Sequence, residues 1–101
     1  MPGANPSDRG AGAGWSVYLI ECRDGSLYTG VALDVPRRFR EHVAGKGARY
    51  TRSHPPRRLV AVIAAVDRSD ALRAEARIKR LRTADKQMLC GLYPPAERLE
   101  A

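Results

Sequence analysis

Residues 15–32 read WSVYLIECRDGSLYTGVA. Trp15 to Cys22 and Leu27 to Ala32 are rich in β-branched and aromatic residues, and Arg23-Asp24-Gly25-Ser26 between them carries turn chemistry. The stretch predicts a β-hairpin. A two-residue Asp24-Gly25 turn would pair Arg23 with Ser26 and put Tyr18 and Tyr28 on opposite faces of the sheet. A three-residue loop, Arg23-Asp24-Gly25 with Gly25 in the left-handed region, would pair Cys22 with Ser26. Tyr28 then lies opposite Ile20, diagonal to Tyr18 and on its face, where aromatic rings about 7–8 Å apart can still meet. Propensity leaves both loops open.

Downstream, Asp34 is a good N-cap and Pro36 suits a first helical turn. The helix runs to about Ala44 and stops at Gly45-Lys46-Gly47, with Val35, Phe39 and Val43 as its apolar stripe. Arg38 and His42, four apart, flank that stripe on one edge. Residues 45–57 read as a basic loop holding Tyr50 and Pro55-Pro56. Leu59 to Val66 is an apolar run with strand character. Ser69 caps a second helix reaching Arg82, with Ala71, Ala74, Ile78 and Leu81 as its seam and Glu75 on the seam's edge. Thr83 caps a short third helix from Ala84 to about Leu89. The expected order is β-β-α-β-α-α: an α+β domain over 15–93, between a disordered tail at 1–14 and a short C-terminal tail at 94–101.

The chain has 101 residues, enough for one compact domain. Its net charge of +7 is local. Residues 37–58 hold eight basic side chains and one acid, Glu41, so that segment alone carries a charge equal to the whole. Such a segment points to a polyanion, most often nucleic acid; the plain alternative is a solvated arginine-rich face. The longest apolar run is eight residues, Leu59 to Val66, against the ~20 that cross a bilayer. The N-terminus has no basic-then-apolar signal pattern. Cys22 and Cys90 form neither a disulfide framework nor a zinc motif, which suits reduced thiols in a cytoplasmic protein.

Taken singly, the polar residues have ordinary roles. Tyr18 and Tyr28 suit half-buried strand positions, Arg38 and His42 a helix surface, and Glu75 with Lys79 an i, i+4 helix pair. Their spacing goes further. Ser16-Val17-Tyr18 resembles the first half, and Tyr28-Thr29-Gly30 the second half, of the signature of the GIY-YIG nuclease family. Arg38 follows Tyr28 by ten and His42 follows Arg38 by four, as in that family, and Glu75 in ALRAEARIK looks like its metal-binding glutamate. The strings WSVYL, DGSLYTG, GKGARYTR and IKRL resemble the family's small standalone bacterial members, which are similar to the UvrC N-terminal domain. The resemblance covers residues 15 to about 89.

It implies a three-stranded mixed or antiparallel sheet flanked by helices, acting on phosphodiester bonds. Glu75 would hold one Mg²⁺ or Mn²⁺ ion, with water and phosphate oxygens completing the shell. Arg38 would grip the phosphate as a planar cationic fork. Tyr18 or Tyr28 would take the proton of the attacking water; Tyr28 is the first choice, with Tyr18 orienting that water. A free phenol titrates near pH 10, so the base needs help from the metal or Arg38. His42 would hydrogen-bond a tyrosine hydroxyl or shuttle its proton. Both tyrosines must face one site, which favours the three-residue loop. Arg37, Arg40, Lys46, Arg49, Arg52 and Lys79 would touch the DNA backbone, and Tyr50 would stack on a base. Gly30, on the tyrosine face, would leave room for backbone to approach substrate. The chain departs from the family at Ser16 and Thr29, and no asparagine follows Glu75; Lys86 and Gln87 are candidates for its role. The resulting expectation is a metal-dependent endonuclease on DNA, directed by structure or damage, with a protein partner as one source of specificity. The alternative is a nucleic-acid-binding module without turnover. An RNA substrate fits the same residues.

Overall fold

The computed structural model describes residues 14–101, so the tail expected at 1–14 lies, Gly14 apart, outside the described residues. Strand β1 (Ser16–Cys22) and strand β2 (Leu27–Ala32) form the hairpin. Helix α1 (Val35–Val43), a short helix α2 (Arg49–Ser53), strand β3 (Pro56–Ala64), helix α3 (Arg68–Lys79) and helix α4 (Thr83–Leu92) follow. The sheet order is β2-β1-β3, antiparallel at both pairings.

β1 is central and buried on both sides, with Val17, Tyr18, Leu19 and Ile20 all sealed from solvent. Alternation then divides the core in two. Tyr18, Ile20 and Cys22 pack with Val35 and Phe39 of α1 on one face. Val17 and Leu19 pack with Ala71 and Ile78 of α3 on the other. Helix α1 starts where expected: Asp34 caps it, its Oδ1 accepting from the Arg37 N–H at 3.1 Å.

Several boundaries differ from the sequence reading. The segment read as loop contains α2, so the order is β-β-α-α-β-α-α. β3 starts three residues early, at Pro56, because Arg57 and Arg58 keep their side chains in solvent while their backbone pairs. Its predicted end is outside the strand, and Val66 is exposed. Asp67, not Ser69, caps α3, accepting from the Asp70 N–H at 2.8 Å. α4 begins at Thr83 after an N-cap, Arg82, that makes no side-chain cap bond. Leu81, expected in the α3 seam, lies past the helix end and is partly exposed. Val43 is exposed too, and the buried residue in the last turn of α1 is His42.

The last residues lie along the outer edge of β3. The Leu59 N–H donates to the Leu99 carbonyl at 2.9 Å and the Ala101 N–H to the Arg57 carbonyl at 2.8 Å, while Leu99 packs on the core. This covers backbone groups that an edge strand would leave open.

Candidate active site

The hairpin loop decides the site. Gly25 sits at φ +87°, its N–H donating to the Cys22 carbonyl at 2.9 Å, and the Cys22 N–H donates to the Ser26 carbonyl at 2.8 Å. Asp24 Oδ1 accepts from both the backbone N–H and the hydroxyl of Ser26. This is the three-residue loop. Tyr28 pairs with Ile20 and Tyr18 with Gly30, so both tyrosines share a face, with ring centroids 6.2 Å apart.

Gly30 serves that arrangement. A Cβ there would stand 2.5 Å from the Tyr18 hydroxyl oxygen and 2.7 Å from Cζ. The ring of Tyr18 therefore lies across Gly30, over β2. The expectation that Gly30 leaves room for backbone to approach substrate is corrected: its empty side is filled by Tyr18.

From α1, His42 reaches the same place. Its Nε2 is 2.7 Å from the Tyr18 hydroxyl and its ring meets Tyr28 edge-on at 5.1 Å. Its Nδ1 is 2.6 Å from the Thr51 hydroxyl, which donates to the Ala48 carbonyl at 3.0 Å. Burial, then the Arg38 charge, push His42 down from 6.5 to about 4, with Glu41 opposing, so the ring is neutral at pH 7. Burial, then the neighbouring Tyr28, push Tyr18 well above the usual phenol value; Glu75 adds to this and Arg38 opposes it. Tyr18 is thus a phenol that holds its proton.

Arg38 lies at the rim, its Nη1 2.9 Å from Glu41 Oε1, and Arg37 shares that carboxylate at 3.6 Å. Arg38 holds the Glu41 carboxyl below its usual range. Glu75 comes from the opposite layer. α3 packs against β2 and β1, and the Glu75 charge adds a small upward push to the Tyr18 hydroxyl. Its side chain is mostly shielded and pairs with Lys79 Nζ at 3.3 Å. A hard divalent cation takes oxygen ligands and tolerates one protein carboxylate if water and phosphate fill the rest. Glu75 meets that requirement. No group of three His, Cys, Asp or Glu side chains among the described residues could form a fuller cage.

Arg37, Arg40, Lys46, Arg49 and Arg52 are all exposed, as backbone contacts would need. Lys79 is tied to Glu75. Tyr50 stacks against His54 at 4.0 Å and 9° and against Tyr28 at 5.8 Å, extending the aromatic cluster outward from the site. Neither Lys86 nor Gln87 makes a side-chain hydrogen bond to the cluster among the described residues. Sequence reasoning missed two residues. Glu41 was legible as the i+3 partner of Arg38. Thr51, nine residues beyond His42 and across a loop, carried no periodic signal. The hydroxyl of Thr29 is buried without a partner.

Residues 14–88 match the model of the GIY-YIG catalytic domain, so the chain belongs to the GIY-YIG nuclease family. Within it, the chain is similar to small bacterial proteins named UPF0213. It is 46% identical over 87 residues to one from Cupriavidus necator, covering 86% of this chain and 95% of that protein. It is 43% identical over 93 residues to one from Pseudomonas aeruginosa, covering 91% and 89%. The solution NMR structure of the UPF0213 protein BH0048 from Bacillus halodurans aligns with a TM-score of 0.51 at 44% identity, over 81% of this chain and 87% of that one.

Proposed function

We propose that this protein is a metal-dependent endonuclease that hydrolyses phosphodiester bonds in DNA, directed by the structure or damage of its substrate. The observation that carries the reading is the cluster of Tyr18, Tyr28 and His42 with Arg38 at its rim, beside an exposed basic segment. Arg38 exchanges the Glu41 carboxylate for the scissile phosphate, which presents a similar pair of oxygens to its fork. Tyr28, half-buried beside His42, would receive the proton of the attacking water after first releasing its own phenolic proton to solvent, a loss that the charge of Arg38 and of the cation at Glu75 would favour. Tyr18 gives its hydrogen to His42 and orients that water through its oxygen. Glu75 would hold Mg²⁺ or Mn²⁺, which supplies charge neutralisation at phosphorus and the leaving oxygen. The exposed arginines hold the backbone, and Tyr50 offers a face for a base. The free thiols Cys22 and Cys90 suit a reducing, cytoplasmic compartment, where the role would be in DNA repair with a partner protein as one source of specificity.

The test is cleavage of branched, single-stranded and duplex DNA with Mg²⁺ or Mn²⁺. Glu75→Ala and Arg38→Ala should abolish cutting while keeping salt-sensitive binding. Arg52→Ala should mainly weaken binding and lower the salt slope by about 1. Binding without any cleavage by the unaltered protein would replace this reading with that of a non-catalytic module. Equal cleavage by Glu75→Ala would remove Glu75 from the mechanism.

A further inference from the structure

We propose that Thr51 is a positioning residue that sets the tautomer of His42 and thereby the direction of the Tyr18–His42 hydrogen bond. The role of that bond in cleavage rests on the function proposed above; the tautomer itself does not. Helix α2 turns Arg49, Tyr50 and Arg52 outward and buries Thr51, which is 2% exposed. Its hydroxyl has two neighbours, the Ala48 carbonyl at 3.0 Å and His42 Nδ1 at 2.6 Å, but only one hydrogen.

If that hydrogen goes to the Ala48 carbonyl, Oγ1 turns a lone pair to Nδ1, and Nδ1 must carry the imidazole proton. A neutral ring has only one, so Nε2 is bare and accepts from the Tyr18 hydroxyl at 2.7 Å. The Thr51, imidazole and Tyr18 hydrogens then each have an acceptor. The reverse assignment puts the Thr51 hydrogen on Nδ1 and an N–H on Nε2. The buried Tyr18 hydroxyl, 1% exposed, would then keep a hydrogen with no acceptor among the described residues. Such a group is costly. One contact favours the reverse: the Ala48 N–H approaches Nδ1, but at 3.4 Å it is the longest of the set. The ring is also clamped, since a Cβ at Gly47 would collide with His42 Nδ1. With Thr51 in place, the Tyr18 proton is committed to His42 and the Tyr18 oxygen faces the site as an acceptor.

Thr51→Val keeps the shape and removes the hydroxyl, whereas Thr51→Ser keeps the hydroxyl and removes the methyl. Long-range ¹H–¹⁵N correlation on histidine-labelled full-length protein at pH 7 reads the tautomer, and His54→Gln assigns the two rings. The unaltered protein and Thr51→Ser should show the Nδ1–H form, and Thr51→Val should lose it. In cleavage assays Thr51→Val should lower kcat about 10–100-fold with KM little changed, as loss of a supporting hydrogen bond does, and Thr51→Ser should restore it. An Nε2–H ring in the unaltered protein overturns the proposal, and that measurement stands if Thr51→Val does not fold. Nδ1–H retained in folded Thr51→Val also overturns it. If no variant cleaves any DNA, the tautomer result still decides this inference while the nuclease reading fails by itself.

Discussion

Lowering the pH from 7 to 4 should destabilise the fold through one ring. In the native state His42 takes up a proton only near pH 4, whereas a free histidine does so near 6.5. Between these values the unfolded chain binds a proton that the folded chain refuses, so stability falls as pH drops through the window and levels off below 4. The gap corresponds to about 3 kcal/mol, at ~1.4 kcal/mol per pH unit. Burial is the main cause, because a charged imidazole between Tyr18 and Thr51 would lose its water, and the nearby Arg38 adds repulsion. The assay is urea unfolding by circular dichroism at pH 7, 6, 5 and 4. With an m-value of about 1.5 kcal/mol/M, the midpoint should fall by about 2 M across the series. His42→Gln keeps a hydrogen-bonding side chain but does not titrate, so its series should lack this loss. Asp24 and Glu41 are held below their usual values by Ser26 and Arg38 respectively. Their contributions disappear at lower pH and are shared by both proteins. A difference between the two series that stays flat from pH 7 to 4 would refute the reasoning. It would mean that the buried ring accepts a proton as readily as a free one.

Gly30→Ala should displace the Tyr18 ring, because the new Cβ meets its hydroxyl and Cζ. Cleavage should drop by about 100-fold, the usual cost of ~1 Å misplacement, and Tm should fall although Gly-to-Ala in a strand normally stabilises. Unchanged Tm would show that the ring does not occupy that space. Ending the chain after Pro95 should remove the Leu99 packing and two backbone hydrogen bonds on β3. The expected loss is about 2–4 kcal/mol, read as a Tm decrease of roughly 10–20 °C. An unshifted Tm would mean that the β3 edge needs no cover.

Much of the site was written in local chemistry. Alternating β-branched and aromatic residues make the hairpin strands, Asp34 and Pro36 start α1, and four-residue spacing puts Arg38 and His42 on one helix edge. Positions 18, 28, 38, 42 and 75 carry the family resemblance through their residue types and spacing alone. The loop of the hairpin was different, because two-residue and three-residue turns suit Asp24-Gly25 equally. The tertiary structure separates them: the Arg23 N–H donates to the Pro55 carbonyl at 2.8 Å, beside β3. Arg23 is thereby taken from Ser26 and both tyrosines turn to one face. Likewise, periodicity selected Val43 for the core, but His42 is buried because Tyr18 and Thr51 supply partners for both ring nitrogens. Helix α2 and the C-terminal cover on β3 had no periodic signature. What the sequence determined by itself were the elements set by propensity, capping and alternation, together with the candidate site residues. The face shared by the tyrosines and the neutral state of His42 were decided only when distant segments met, because both depend on burial and hydrogen-bond partners that no local pattern contains.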